Sequence, residues 1–289
     1  MFENLYGLSC IENQVLAILR EHGTDIRPLY RDCAMPMKEL FFFLIYHGNK
    51  QEYFDRITRV QDLAKEIGII SMKLDTDDEK ALAAIRNTHE NEYILIRVSE
   101  EFTKEKLHAR GLRSDHYVRA SAAGSGIEIF NDIPEMSLIL TEKEFAEAGG
   151  GDFFRIRIKR EITLEDQKKL HASRVFKAER TDAFHFEASD FDPIRRFPNE
   201  PKDTGIRIKN MTGVYKTLRY RMAEYYGQHT DTVFIREYMP EIEKYYAMFE
   251  YYNLKRNASF EQYFDVFCRL NQLDNDLNEK LKKQLYKSY

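Results

Sequence analysis

One cysteine in this chain lies where a helix start would make it nucleophilic. Cys10 follows Ser9, and Glu12 lies three positions after Ser9, which is the Ser-x-x-Glu capping-box pattern of a helix N-terminus. Backbone N–H groups and the positive end of the helix dipole favour the thiolate, which is the reactive form of cysteine. We therefore expect Cys10 to be a nucleophile in the first helical turn. The alternative is a small buried side chain on an ordinary helix.

A histidine and a carboxylate are spaced to meet across a predicted β-hairpin. His116 opens one strand, and Asp132 ends the strand that follows the Gly-Ser-Gly turn beginning at Gly124. Both residues are equally far from Gly124, so we expect them to be cross-strand neighbours. A carboxylate beside an imidazole fixes its tautomer and stabilises the imidazolium. With Cys10 they would form a Cys-His-Asp triad; the alternative is a surface histidine and a turn-forming aspartate.

The elements that must position these residues change character near residue 160. Helical and strand patterns alternate before that point, and the pattern from Thr163 onward is mainly helical. The apolar run at 41–46 fits either a buried strand or a short core helix. We therefore predict an α+β domain over residues 1–160 and a mainly helical domain over residues 161–289.

Composition narrows the class of protein. The 289 residues carry a net charge of −4, which argues against general nucleic-acid binding. We expect no signal peptide and no membrane span, and hence a cytoplasmic protein. The three cysteines, Cys10, Cys33 and Cys268, have spacings that suggest neither a disulfide framework nor a zinc site. No Gly-rich nucleotide motif is present, so we expect neither a cofactor nor a metal.

The motifs resemble those of the papain-like fold. The cysteine stands on the first helix, and the segments Asp-His-Tyr-Val (115–118) and Asn-Asp-Ile-Pro (131–134) lie on consecutive predicted strands. The chain is most similar to the family named for butirosin biosynthesis protein H, over its whole length. The bacteriocin-processing cysteine peptidase domains of ABC exporters have a similar layout. The resemblance implies a papain-like cysteine-protease-type N-terminal domain followed by a mainly helical C-terminal domain.

The butirosin family resemblance also implies an activity. It implies an acyltransferase of aminoglycoside antibiotic biosynthesis, which moves a γ-glutamyl-4-amino-2-hydroxybutyryl group from an acyl carrier protein thioester to an amine of ribostamycin. Carried over, Cys10 would attack the thioester, His116 would move the proton, and Asp132 would orient His116. A direct transfer, with His116 activating the amine and Cys10 remaining non-covalent, is equally compatible with these residues.

The oxyanion donor is predicted from the same resemblance. Papain-like enzymes often use a Gln side chain six residues before the nucleophile, and Asn4 occupies that position here. Asn4 offers the same amide donor with a shorter reach, and the alternative is an ordinary polar residue near the N-terminus.

Two other functions fit the same residues. A cysteine peptidase or amidase would use the same triad, although a minimal peptidase needs no helical C-terminal domain. A non-catalytic interaction protein would keep the fold without the chemistry, and its Cys10→Ala variant would change nothing but stability.

Overall fold

The polypeptide divides into two compact units. The computed structural model describes residues 5–46, 58–108, 116–172, 185–191, 201–228, 231–255 and 259–287. Unit 1 consists of Met1–Ile26 and Arg59–Asp166, and unit 2 consists of Arg27–Thr58 and Gln167–Tyr289. Across these described ranges, no helix has the length and apolar character needed to cross a membrane.

Unit 1 is built on an antiparallel six-stranded sheet, which confirms the predicted α+β class. Its strands run in the order β1-β6-β2-β3-β4-β5. Their bounds are β1 Ile70–Asp75, β2 Glu92–Val98, β3 His116–Ala123, β4 Gly126–Asp132, β5 Glu135–Leu140 and β6 Gly149–Ile158. Its helices are α1 Cys10–Glu21, α3 Val60–Glu66, α4 Asp78–Arg86, α5 Glu100–Glu105 and α6 Glu142–Ala148.

Helix α1 begins where the sequence predicts. Ser9 is the N-cap, and its Oγ accepts a hydrogen bond from the Glu12 backbone N–H at 3.2 Å. The helix ends before Gly23, whose φ of 72° is the left-handed conformation that glycine adopts most readily. The Ser9 cap makes Cys10 the first helical residue, and the left-handed Gly23 follows the end of the helix.

Helix α1 lies along one face of the sheet and is held at both ends. Near its start, Gln14 Nε2 donates to the Phe130 carbonyl of β4 at 3.1 Å. Near its end, Glu21 forms a 2.6 Å ion pair with Arg119 of β3. The Arg119 guanidinium also lies over the Phe130 ring, 4.7 Å from its centroid. Because these contacts join α1 to two neighbouring strands, they set its position along the sheet.

The opposite face of the sheet carries the main core of unit 1. Apolar side chains from alternate strand positions pack there with residues of α4, α5 and α6. Its strand members include Ile94, Ile96, Val98, Val118, Ala120, Ile127 and Ile129. The core side of β3 and β4 is therefore the side of the even-numbered β3 residues and odd-numbered β4 residues.

The β3–β4 hairpin turns one half-residue later than the sequence analysis assumed. Ala123 pairs with Gly126, so the turn is centred between Gly124 and Ser125 rather than on Gly124. The ladder ends at Arg119, which pairs with Phe130. This register decides which side chains meet at the open end of the hairpin.

Unit 2 is helical in its described residues. It contains a 3-10 helix at Arg27–Ala34 and α2 at Met37–Phe41, which continues as a π-helical turn at Phe42–Tyr46. The predicted alternatives for residues 41–46 are thus resolved as helix. A further 3-10 helix lies at Ala188–Phe191, and the long helices are α8 Pro201–Tyr226, α9 Val233–Lys255 and α10 Phe260–Lys287. Helix α7, Leu164–Ala172, crosses the boundary between the units.

The segment at 27–58 belongs with the C-terminal helices, whereas the sequence analysis grouped it with the N-terminal domain. In its described part, the carbonyl oxygens of Cys33 and Met35 accept from the Arg219 guanidinium at 3.0 and 2.9 Å. The Met37 N–H donates to Asp274 at 3.1 Å. Arg219 and Asp274 are both buried, so these bonds satisfy charged groups that have no access to water.

Candidate active site

The Cys10 sulphur lies against the first peptide of β3. The Tyr117 backbone N–H donates to Cys10 Sγ at 3.4 Å. That N–H belongs to the peptide bond that joins His116 to Tyr117. The N–H groups of Ile11 and of Cys10 itself also face the sulphur. The start of α1 thus presents its cysteine to the strand that carries the predicted histidine.

The resting form of Cys10 is the thiol, which corrects the expectation of a thiolate. Burial raises the pKa of Cys10 to about 11, and the negative charge of Asp132 raises it further in the same direction. The three backbone N–H groups lower the pKa, but they do not offset burial. Burial therefore outweighs the effect of the helix N-terminus on the pKa of Cys10. The sequence pattern reveals the helix dipole, but it does not reveal that the surrounding protein desolvates the sulphur.

The His116 ring is held in one tautomer by Asn131. His116 Nε2 lies 2.5 Å from Asn131 Oδ1. Asn131 Nδ2 donates to the Pro134 carbonyl at 2.7 Å, which turns Oδ1 toward the histidine. An amide oxygen only accepts, so Nε2 carries the proton and the neutral ring keeps its lone pair on Nδ1. The basic nitrogen of His116 is accordingly Nδ1.

Asp132 and Asn131 both approach the Nε2 atom of His116. Its Oδ1 is 3.8 Å from His116 Nε2, and both side chains are buried. Oδ2 accepts from Asn13 Nδ2 at 2.8 Å, whereas Oδ1 has no hydrogen-bond partner among the described residues. Burial raises the pKa of Asp132, although the Asn13 amide and His116 act in the opposite direction. The Asp132 carboxylate is therefore placed to attract a positive charge that forms on the ring during a reaction.

The hairpin register explains why Asn131 is the nearer partner. With the turn centred between Gly124 and Ser125, the residue diagonal to His116 on its own face of the sheet is Asn131. Asp132 points toward the α1 face, where Asn13 meets it. His116 and Asp132 are close neighbours as predicted, with 3.8 Å between Nε2 and Oδ1, but the shifted register makes Asn131 the residue that bonds to the ring.

Asn13 is a second residue that the sequence analysis missed. Its Oδ1 accepts from the Gly7 N–H at 3.0 Å while its Nδ2 donates to Asp132. Asn13 lies three positions after Cys10, so both lie on the same face of α1. That spacing, together with the polar side chain, was the available signal.

The remaining sequence candidates do not join this cluster. Asn4 lies outside the described residues. Cys33 is fully buried in unit 2, and burial raises its pKa to about 12. Cys268 is on α10 of unit 2, and burial raises its pKa too. Within the described ranges, no three His, Cys, Asp or Glu side chains form a group suited to a metal ion.

No model of a known protein family matches the chain. A search of curated proteins also finds no matching sequence. The geometry of the site is therefore the basis for assigning a function to this protein.

Proposed function

We propose that unit 1 catalyses acyl transfer through a thioester on Cys10. The observation that carries this proposal is the fixed tautomer of His116, whose Nε2 faces Asn131 while Asp132 lies within 3.8 Å. A base with its lone pair on Nδ1, a buried carboxylate and a cysteine against the same strand are the parts that covalent acyl transfer needs.

The proposed first half-reaction moves the acyl group onto the enzyme. His116 Nδ1 accepts the Cys10 thiol proton as Sγ attacks the donor's thioester carbonyl. The donor C–S bond then breaks, and the leaving thiolate takes the proton from His116. The N–H groups at the start of α1 are the donors for the oxyanion. Because the thiol pKa is high, proton transfer accompanies attack rather than preceding it.

The second half-reaction returns the enzyme to its resting form. An amine attacks the acyl-enzyme carbonyl and gives a proton to His116, which passes it to the departing Cys10 sulphur. Asp132 stabilises the imidazolium in both half-reactions because its charge faces the ring from a buried position. Exclusion of water would favour the amine over hydrolysis.

The papain-like fold and the partners remain part of this proposal. The order of cysteine, histidine and aspartate, on the first helix and two successive strands, supports a papain-like arrangement. By its resemblance to the butirosin family, the chain would take its acyl group from an acyl carrier protein and deliver it to an amine such as that of an aminoglycoside.

Intact-mass spectrometry tests the covalent route. The protein is mixed with a short acyl thioester of N-acetylcysteamine, with and without ribostamycin. We expect a one-acyl mass gain that maps to Cys10 and disappears as acylated amine forms. Cys268→Ser is the matched control and should behave like wild type, whereas Cys10→Ser and His116→Gln should not be acylated.

Other outcomes separate the alternatives. Acylated amine without an enzyme adduct would indicate direct transfer. An adduct that is lost to water at the same rate with and without amine would indicate a hydrolase. No adduct and no product with either this thioester or an acyl carrier protein thioester would contradict the proposal.

A further inference from the structure

An exposed row of cations crosses β1 and β6 of unit 1. Arg155 and Arg157 are alternate residues of β6, so they lie on the same face of the sheet. Lys73 of β1 pairs directly with Arg155, which places it on that face as well. Lys159 lies just beyond β6, where its N–H bonds to the Ile69 carbonyl, and it continues the row by one alternate position. These four exposed residues form the cationic row.

The charges of the cationic row are poorly compensated within the protein. Glu92 accepts from Arg157 Nε at 2.9 Å, whereas the other three cations form no ion pair with a described residue. Asp75, the next residue of β1 on this face, accepts from the Asp77 N–H. Lys73 and Arg155 are therefore like charges directly opposite each other, an arrangement that destabilises a sheet.

The spacing of the cationic row matches that of carboxylates on a helix. Alternate residues of a strand are about 6.6 Å apart. Residues i and i+4 of a helix are separated by a rise of about 6 Å. A helix with an acidic residue at every fourth position can therefore present one carboxylate each to Arg155, Arg157 and Lys159. Bidentate hydrogen bonds to the two guanidinium groups would give these contacts direction.

The same face lacks the features that other anionic partners require. Proteins that bind single-stranded nucleic acid on a sheet stack its bases on exposed aromatic rings. Phe153, the aromatic residue of β6 on this face, is buried in the core. A membrane surface is usually bound with exposed apolar side chains, but the exposed Leu74 alternates with Lys73 and so lies on the opposite face. The net charge of −4 also disfavours a long polyanion.

We propose that the cationic row is a docking surface for an acidic helix of a partner protein. The inference goes beyond the proposed function and does not depend on it, because none of the four residues belongs to the candidate active site. Carboxylates placed between Lys73 and Arg155 would relieve their repulsion. Docking should therefore stabilise the pairing of β1 with β6.

Binding of a model peptide tests the surface. The probe is a labelled, alanine-based helical peptide with glutamate at every fourth position, followed by fluorescence anisotropy. We expect binding at low salt that weakens about tenfold at physiological salt, because exposed charges are screened. Arg155→Glu should weaken binding at least about tenfold. Lys143→Glu is the matched control, because it changes the net charge equally at an exposed position of α6 outside the row, and it should bind like wild type.

A stability measurement tests the like-charge pair. Lys73→Glu places opposite charges across β1 and β6, so it should raise the thermal midpoint of the free protein while it weakens peptide binding. Lys143→Glu should change neither property. A lower midpoint for Lys73→Glu would contradict the repulsion on which the proposal depends.

The remaining outcomes also decide the proposal. No binding of the peptide at low salt, or equal affinities of Arg155→Glu and Lys143→Glu, would overturn it. Tighter binding of a uridine oligonucleotide or of phosphatidylserine vesicles than of the peptide would overturn the assignment to an acidic helix. None of these measurements involves acylation of Cys10, so their failure would leave acyl transfer standing.

Discussion

At the scale of single residues, the buried carboxylate of Asp132 determines which charges the candidate site can stabilise. Asp132 holds a buried carboxylate whose Oδ1 has no hydrogen-bond partner in the described part of the chain. Its charge raises the pKa of Cys10 and so opposes a thiolate there, and it would attract a cation formed on His116 during the reaction. Transfer of the thiol proton to His116 places that cation beside the carboxylate. The site is thus better suited to the charge distribution of the reaction than to that of the resting protein.

The protonation of Cys10 can be measured by alkylation. Since its pKa is about 11, against 9.0 for an ordinary thiol, we expect iodoacetamide to react about a hundredfold more slowly at neutral pH than with an unperturbed cysteine. The rate should rise tenfold per pH unit toward pH 11, as followed by peptide mass spectrometry. Asp132→Asn should speed alkylation, because Asp132 contributes to the high pKa. A rate plateau near pH 7 would contradict this assignment.

Asp132→Asn should also make the protein more stable while it reduces acyl transfer. The pKa of Asp132 is raised by burial, so ionisation costs stability as pH rises through the carboxyl's folded-state pKa. An asparagine can still accept from Asn13 and removes the charge. We expect about 1 kcal/mol of added stability in urea unfolding at pH 7, shrinking toward acidic pH. Lower stability of the variant at pH 7 would contradict this prediction, because it would show that neighbouring groups stabilise the buried carboxylate.

The sequence identified three members of the cluster and missed two. Capping chemistry and hairpin symmetry were sufficient to select Cys10, His116 and Asp132. Asn131 was missed because a half-residue shift in the turn changes which strand residue shares a face with His116. Asn13 was missed because its role depends on how α1 docks on the sheet, which no local pattern encodes.

At the scale of elements, helix α1 connects the chain's N-terminal loop to the hairpin. Asn13 receives the Gly7 N–H with its carbonyl oxygen and donates to Asp132 with its amide nitrogen. Because one side chain makes both bonds, the loop that precedes α1 determines how firmly Asp132 is held.

Gly7→Ala tests this connection. A Cβ on Gly7 would lie 2.0 Å from Asn13 Oδ1, so the asparagine must move and release Asp132. We expect acyl transfer to fall at least tenfold with a stability loss of about 1 kcal/mol. Gly213→Ala in α8 is the control; its Cβ would meet the Tyr246 ring of α9 at an ordinary 3.8 Å, and the variant should gain roughly 0.5–1 kcal/mol. Unchanged activity in Gly7→Ala would rule out the connection.

Element boundaries were predictable where local chemistry dominates and not where packing does. The starts of α1 and α6 follow their Ser9 and Thr141 caps. Pro240 lies inside α9, which begins at Val233, although proline is unfavourable in a helix interior. Tertiary packing overrides local propensity in such helices.

At the scale of the whole molecule, unit 2 contains a buried ion pair between Arg219 and Asp274. Asp274 accepts from both Arg219 and the Tyr215 hydroxyl, the latter at 3.0 Å. Arg219 is fully buried, so the carboxylate compensates a charge that water cannot reach.

Asp274→Asn should destabilise unit 2 strongly. Removal of one partner leaves the Arg219 charge buried without its counter-ion, which costs about 3–5 kcal/mol. Urea unfolding measures the loss. Asp276→Asn is the matched control, because Asp276 is exposed on the same helix and should change stability by less than about 0.5 kcal/mol. Similar losses in both variants would contradict a special role for Asp274.

Unit 2 consists of two segments that are far apart in the sequence, and this affects folding during synthesis. Cys33 and Arg219 are 186 residues apart, and Met37 and Asp274 are 237 apart. At about 5–20 residues per second, a ribosome needs roughly 12 to 47 seconds to cover the longer interval. During that time the apolar segment around Phe41 has emerged without Phe267, one of the aromatic rings that it packs against in the folded protein. We therefore expect the exposed aromatic segment to favour aggregation of the nascent chain until synthesis reaches α10.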